Sequence, residues 1–213
     1  MELLHLLFPG LIGFDESEVP SWDGQADPWA IFNGEYDLKY QIKLLLENGS
    51  EYYSHPTAKI ANSAKIEGPA YIGPGAVIRH GAYLRAGSWI CERAIVGNSS
   101  EIKNSVLLPG AKAPHFNYVG DSIVGFDANL GAGVKLSNVR NDRKKIRLYL
   151  DNGQFVCSGL TKLGAMIGDS SQLGCNSVTN PGTLIGKKSM VIPNTTVKSG
   201  YHVNSSLIRS RKN

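Results

Sequence analysis

Residues 60–108 read IANSAK IEGPAY IGPGAV IRHGAY LRAGSW ICERAI VGNSSE IKNSVL L, where each gap marks six residues. An aliphatic residue opens every hexad: Ile60, Ile66, Ile72, Ile78, Leu84, Ile90, Val96, Ile102 and Leu108. The period returns at Val124 and Leu130, and again at Ile167, Leu173, Thr179, Ile185, Val191 and Val197. Four residues after these positions a small or short side chain recurs, from Ala64, Ala70 and Ala76 to Ser171, Ser177 and Thr183. Lys112, after Leu108, breaks that rule. A period of six suits no helix, because at 3.6 residues per turn the aliphatic residues would spiral around the axis. It suits a parallel β-helix. Each hexad forms a short strand and a corner, three hexads close a triangular coil, and stacked coils bury a continuous aliphatic column. Small residues fit near the corners, where Gly or Asn takes the turn conformations that β-branched residues resist. The period alone leaves the hand of the coil open.

Composition agrees with this reading. The chain has 213 residues, enough for one domain or one domain with a small appendage. Its 24 glycines and 10 prolines imply many turns. It has no run of 18 apolar residues, so no membrane-spanning helix is expected. Met1 to Phe14 is apolar, but no basic segment precedes it, so a signal peptide is not expected. Cys91, Cys157 and Cys175 are odd in number and form no CxxC pair. They read as reduced packing thiols of a cytoplasmic protein. The net charge is +4. Arg209, Arg211 and Lys212 supply three of the cations, and residues 140–147 supply five against one Asp. Without interleaved aromatics this is not the basic stripe of a nucleic-acid binder. A mild excess is compatible with an anionic small-molecule substrate.

The repeat divides the chain. Residues 1–54 lack it and are expected to form a helical cap or extension. Asp27-Pro28-Trp29 reads as an N-cap followed by an N1 proline. The stretch Trp29 to Leu46 reads as a helix with Ile31, Tyr36, Tyr40, Ile42, Leu45 and Leu46 as its apolar members, placed over the open end of the coil. Residues 55–200 form the β-helix, and 140–163 are an insertion within it. There Ile146 to Leu150 and Gln154 to Cys157 flank Asp151-Asn152-Gly153, a hairpin signal. Such a hairpin is marginal alone and needs a surface to lean on. Residues 201–213 are expected to be a basic tail.

Between Leu108 and Val124 the period is interrupted by Ala113-Pro114-His115-Phe116-Asn117-Tyr118-Val119-Gly120-Asp121. Repeats depart from their own rule at loops and functional sites. His115 alone reads as a hydrogen-bonded loop residue, yet a group that titrates near neutrality also suits a general base. Arg85 and Lys103 are eighteen residues apart, one coil of three hexads. They should stack on one side, about 4.8 Å apart, and could bind a phosphate dianion.

The run from Lys112 to Asp121, followed by Asn129-Leu130-Gly131-Ala132-Gly133 and Ser137-Asn138, resembles the acetyltransferase domain of the bifunctional N-acetylglucosamine-1-phosphate uridyltransferase/glucosamine-1-phosphate acetyltransferase family. The resemblance covers roughly residues 58 to 200. Thr161 to Asp169 and the hairpin are more similar to archaeal-type sugar-phosphate nucleotidylyltransferases that carry the same β-helix. The resemblance implies a left-handed coil and a homotrimer. It implies that acetyl-CoA is the co-substrate, that no metal is needed, and that neither nucleic acid nor membrane is a partner. By it, His115 is the base that deprotonates the sugar amine. Arg85, Lys103, Tyr118 and Lys144 hold the sugar phosphate, and Asn129 holds the sugar. Asn138 stands beside the base near the acetyl group, where its amide and backbone N–H groups are candidate donors to the oxyanion. Ala132, Cys175, Pro193 and Arg209 line the coenzyme. Cys175 and Pro193 replace a serine and an alanine of the family, Val139 replaces an aromatic, and Arg209 reads equally as part of a solvated tail.

The expected activity is N-acetylation of glucosamine 1-phosphate or a related hexosamine 1-phosphate, feeding UDP-N-acetylhexosamine synthesis. Uridyl transfer is not expected, because residues 1–54 contain no Gly-rich phosphate loop. Two other readings stay open: acylation of a nucleotide-linked amino sugar, and a catalytically inactive trimeric scaffold. A metal-dependent hydratase would need three convergent histidines, and the repeat offers only His80 and His115.

Overall fold

A computed structural model describes residues 3–15, 18–22, 27–34, 37–46, 49–150 and 154–210. The repeat folds as a left-handed parallel β-helix. Its three faces are parallel sheets of eight, eight and seven strands. The first face begins with Tyr52–Ser54 and ends with Gly200–His202; the second runs from Lys59–Ile60 to Leu207–Ile208; the third runs from Lys65–Ile66 to Thr196–Val197. Coils therefore continue to Ile208, beyond the expected boundary at residue 200, and most of the expected tail is β-helix.

The aliphatic residues form the interior as the period requires. Ile72, Ile90, Val124, Ile167 and Ile185 line the first face, Ile78, Val96, Leu130, Leu173 and Val191 the second, and Leu84, Ile102, Leu136 and Val197 the third. One position differs from the sequence reading. Leu107, not Leu108, aligns with Ile90 and enters the interior. Two edges are five residues long, Ile102 to Leu107 and Val119 to Val124. Ala113 and Val119 between them stay in register with Val96 and Ile102. The apparent break is thus a pair of shortened edges. They also explain Lys112: the small residues at those corners are Ser105 and Ala111, both fully buried. Small polar residues at other corners close hydrogen bonds with the next coil, as in Ser88 Oγ to Ile102 O (3.0 Å), Ser171 Oγ to Gly186 O (3.0 Å) and Thr183 Oγ1 to Lys198 O (3.2 Å). A buried hydroxyl without such a partner would be costly.

The outer side of the first face is also apolar. Tyr71, Trp89, Val106, Ile123, Met166 and Leu184 point away from the coil and form a second core with the N-terminal segment and the hairpin. Tyr53, Tyr71 and Trp89 stack one coil apart, with ring centroids at 5.2 and 4.6 Å. The N-terminal segment therefore covers a face of the prism, not its end. The stretch Trp29 to Leu46 is two pieces, a 3-10 turn Pro28–Phe32 and a helix, Leu38–Leu45, whose cap is Asp37. Asn33-Gly34 separates them, with Gly34 at φ +74°. Asp27 is the residue before the 3-10 turn but its side chain makes no capping bond. Tyr40 and Leu45 are exposed, and Tyr36 lies outside the described residues. Asp169 anchors this cover: its carboxylate accepts from Gly10 N (2.8 Å) and Phe126 N (2.9 Å).

The hairpin strands Arg147–Tyr149 and Phe155–Cys157 pair antiparallel, and their Asp151-Asn152-Gly153 connection lies outside the described residues. Ile146 and Leu148 are buried in the second core, beside Gly182 and the last strand of the first face. Of the cysteines only Cys91 is buried; Cys157 and Cys175 are exposed, so they are not packing residues. No helix of the described residues is long and apolar enough to cross a membrane.

Candidate active site

Ten of the eleven sequence-selected residues fall on two corners of the prism and on the third face between them or the second face beside them. The first corner joins the second face to the third. The strand Lys112–His115 is longer than most of its neighbours and pairs His115 with Asn98. Buried Asn117 pins this corner: its Oδ1 accepts from His115 N (3.0 Å), and its Nδ2 donates to Gly131 O (2.8 Å). The His115 ring stays exposed and makes no hydrogen bond among the described residues. It is therefore not a loop histidine held by its ring. Below it the coils run down the same corner. Gly133 N donates to His115 O (3.0 Å), Asn176 N to Ala132 O (2.8 Å) and Asn194 N to Cys175 O (2.9 Å), while Ile192 N reaches Ile208 O (2.9 Å). His115, Ala132, Cys175 and Pro193 thus form one column over three coil steps, about 14 Å at a strand spacing of 4.8 Å, and Arg209 lies one coil further on, beneath Ile192 and one residue short of the Pro193 register. Cys175, Pro193 and Arg209 are exposed along it.

The second corner joins the third face to the first. Tyr83 and Leu84 align with Glu101 and Ile102, so Arg85 and Lys103 occupy stacked positions as the eighteen-residue spacing requires. Neither cation stands free. Arg85 Nη1 meets Glu101 Oε1 at 2.9 Å, and Lys103 Nζ meets both oxygens of Asp121 at 2.9 and 3.2 Å. Asp121 is 3% exposed and also accepts from Asn104 Nδ2 (2.9 Å) and Asn138 Nδ2 (2.5 Å). In the sequence Asp121 is only the last residue of the interrupted run, with nothing to mark it as buried. The available signal was the short step from Val119 to Val124, which places a buried acid in a corner at φ 47°.

Tyr118 lies on the third face, and its hydroxyl comes beside Asn138 Nδ2 over Gly120. Burial, with the Asp121 and Glu101 charges nearby, pushes its phenol above the ordinary value. Gly120 makes this fold-back possible: a Cβ there would lie 2.6 Å from Tyr118 Oη and 2.8 Å from Asn138 Nδ2. A cleft of about 360 Å³ opens here, lined by Tyr118, Lys135, Ser137, Asn138 and Val139. One N–H of Asn138 is given to Asp121 Oδ2.

Two residues lie apart from these corners. Asn129 is on the second face between Lys112 and Gln172, so it does not join Tyr118 within one chain. Lys144 is exposed in the loop before the hairpin, where its backbone N–H meets Asp142 Oδ1 (3.2 Å). It makes no contact with Arg85 or Lys103 in this structure. His80 bonds Ser63 Oγ (2.6 Å), and the described residues hold no group of three or more His, Cys, Asp or Glu placed for a metal.

No family model matches the chain. Against curated proteins, the chain is 43% identical over 79 residues to the bifunctional sugar-1-phosphate nucleotidylyltransferase/acetyltransferase of Sulfurisphaera tokodaii, 37% of this chain and 20% of the relative. It is 44% identical over 81 residues to the bifunctional protein GlmU of Methanococcus maripaludis strain C5, covering 38% of this chain and 19% of the relative. The chain thus spans about a fifth of the length of these relatives. Among solved structures, PerB from Caulobacter crescentus in complex with CoA and GDP-perosamine is 18% identical with a TM-score of 0.41, over 74% of this chain and 53% of that one. The acetyltransferase domain of PglB from Neisseria gonorrhoeae is 17% identical with a TM-score of 0.38, over 76% and 57%. Over about 80 residues the chain shares homologous sequence with the bifunctional sugar-1-phosphate nucleotidylyltransferase/acetyltransferases, and it is built as a hexapeptide-repeat β-helix.

Proposed function

We propose that this protein transfers an acetyl group from acetyl-CoA to the amine of a hexosamine 1-phosphate, with His115 as general base. The observation that carries the reading is the exposed column below His115. An extended acyl donor laid along Ala132, Cys175, Pro193 and Arg209 would bring its thioester end to the unengaged imidazole. Arg209 at the far end offers a cation for the donor's phosphates. His115 removes a proton as the amine nitrogen bonds the thioester carbon, and returns it to the departing thiolate when the C–S bond breaks. Backbone N–H groups at the corner and the Asn138 amide are the candidate donors for the oxyanion.

The site divides between faces. Asn129 looks out from the second face, while Tyr118 and the Asp121 corner belong to the third. A closed homotrimer would bring the second face of one copy to the third face of the next and complete the set. One observation favours a second reading, a nucleotide-linked amino sugar. Arg85 and Lys103 are already neutralised by Glu101 and Asp121, so a free phosphate dianion must compete with two carboxylates.

The test is release of CoA thiol from acetyl-CoA with glucosamine 1-phosphate, galactosamine 1-phosphate and a UDP-linked amino sugar in parallel, with His115→Ala as control. Release with a hexosamine 1-phosphate, lost in the variant, is expected. Release only with the nucleotide sugar would favour the second reading. Silence with all three from a folded protein would contradict both and leave the scaffold.

A further inference from the structure

Where the cover meets the first coils of the prism there is a cleft of about 280 Å³, lined by Glu18, Leu45, Tyr53, His55, Tyr71 and Pro74. Two layers build it. Glu18 and Leu45 belong to the N-terminal segment, and the other four residues to the β-helix. Trp89 ties Glu18 down, because its Nε1 donates to Glu18 O (3.2 Å). That bond uses the backbone of Glu18; its carboxylate makes no ion pair among the described residues. Leu45 is the last residue of the helix Leu38–Leu45, whose carbonyl end carries partial negative charge. The sequence beside both residues is acidic. Residues 14–18 and 45–51 contain Asp15, Glu16, Glu18, Glu47 and Glu51 and no Lys or Arg, in a chain of net charge +4. Lys43, in the last turn of the helix, does not line the cleft. His55 Nδ1 is engaged with Thr57 (Oγ1 at 2.8 Å, N at 3.2 Å).

The tyrosines supply the second layer. The ring ladder Trp89–Tyr71–Tyr53 ends at Tyr53, because Tyr52–Ser54 is the first strand of its face. No further rung covers the outer side of the Tyr53 ring. Tyr71 is 6% exposed, yet its hydroxyl has no hydrogen-bond partner among the described residues. A buried hydroxyl is normally paired, and the cleft that Tyr71 lines is where a partner would come from. Burial first, then the acidic groups of Cys91, Glu18, Tyr53 and Asp15, raise its phenol above the ordinary value. The cleft thus combines a carboxylate, a helix carbonyl end, an open aromatic face and an unused acceptor.

We propose that this cleft binds a small organic cation, a guanidinium or ammonium group on a short alkyl stem. The Glu18 carboxylate pairs with its charge, the Tyr53 ring takes it on its open face, and the Tyr71 hydroxyl accepts one of its N–H groups. Leu45 and Pro74 flank the stem. An anion would meet the carboxylate and the helix end, and a neutral ligand would leave the carboxylate unpaired. The volume is just under the range of drug-sized ligands and suits a ligand the size of one side chain. Because both layers contribute, occupancy should hold the cover to the prism. The cleft opens on the first face, whereas the column below His115 runs along the corner of the second and third. The cation and acetyl-CoA should therefore bind independently, and this site stands whatever the protein acylates.

The test is calorimetric titration of the intact protein with butylguanidinium chloride, and with butylurea as its uncharged counterpart. Butylguanidinium should bind with a Kd of about a millimolar or tighter and raise the melting temperature; butylurea should do neither. Glu18→Gln should weaken binding about tenfold or more, and Tyr71→Phe about threefold or more. Both variants should fold, since Trp89 holds the backbone of Glu18 and the Tyr71 hydroxyl bonds nothing in the empty cleft. Acetyl-CoA at saturation should leave the Kd unchanged. A capped Gly-Arg-Gly peptide separates the sources of the cation. Binding as tight as that of butylguanidinium would assign the site to an arginine side chain of another protein, and weaker binding to a free small molecule; either supports the site. No binding of butylguanidinium up to about 10 mM would overturn the proposal. So would equal affinity for butylurea, or an unchanged Kd in either variant.

Discussion

The first and third faces of this β-helix share one repeat and differ on their outer sides. On the first face the outward residues are Tyr71, Trp89, Val106, Ile123, Met166 and Leu184, and the chain folds its own N-terminal segment and hairpin over them. On the third face the outward residues are Tyr83, Glu101, Tyr118 and Lys135, and the described chain lays nothing across them. The inward residues build the prism; the outward ones decide whether a face becomes core or site. Apolar outward residues recruit cover because their burial stabilises the fold by about 25 cal/mol per Å². Polar ones leave a working surface.

The largest expected effect is on the open side. His115→Ala should lower turnover by about 10²- to 10⁴-fold while the melting temperature holds, because the ring packs against nothing that folding needs. A loss under tenfold would remove His115 from the role of base. On the covered side the effect should be reversed. Trp89→Ala removes a buried ring stacked on Tyr71 and a bond from Nε1 to Glu18 O (3.2 Å). Denaturant titration should show a loss of about 3–5 kcal/mol, with the residual folded protein keeping its activity. A neutral result would mean that the cover is not part of the cooperative unit.

Asp169 tests how the cover is attached. Burial raises its carboxyl from 3.8 to about 6 despite the N–H bonds from Gly10 and Phe126 and the charge of Lys187, with Asp127 adding to the rise. The folded protein therefore holds a proton that the unfolded chain releases. The associated stability is complete below pH 3.8 and is lost as pH rises through about 6. Between pH 4 and 7, wild type should lose up to about 3 kcal/mol relative to Asp169→Asn. Parallel curves would place the titration elsewhere.

The interior offers a smaller test. Thr179 occupies an inward position of the third face, and its buried Oγ1 has no partner. Thr179→Val should raise stability by about 1 kcal/mol in the same titration. A destabilised variant would mean that the hydroxyl is satisfied. The smallest effect belongs to the half-exposed Arg85–Glu101 pair: Glu101→Gln should shift stability by less than about 1 kcal/mol. If a phosphate binds there, it should also lower KM for a hexosamine 1-phosphate, and an unchanged KM would move the phosphate away from Arg85.

The interior was legible because each aliphatic residue repeats one requirement, and so many in-register copies leave a single solution. The residues of the column below His115 came from the resemblance and not from spacing: the steps between them are 17, 43, 18 and 16 residues, and only Cys175 to Pro193 is one coil of eighteen. What the period could not show was where it shortens. Leu107 and Leu108 are both leucine, and only packing decides which turns inward. The cover was misplaced because apolar residues such as Ile31 and Ile42 show that a segment needs a partner, not which surface supplies it. Asp121 went without a role for a similar reason. An acid in a turn reads as solvated until the coils above and below surround it with Lys103, Asn104 and Asn138.

The most direct test of the central claim uses the cysteines. Cys175 is exposed in the column proposed for the acyl donor, and Cys157 is exposed on the hairpin over the other side of the molecule. Their alkylation by iodoacetamide, followed by mass spectrometry with and without acetyl-CoA, reads the column against an internal control. The account predicts that acetyl-CoA slows modification of Cys175 and leaves Cys157 unchanged. Unaltered labelling of Cys175 at saturating acetyl-CoA would contradict the placement of the donor below His115, and the proposed acetyl transfer with it.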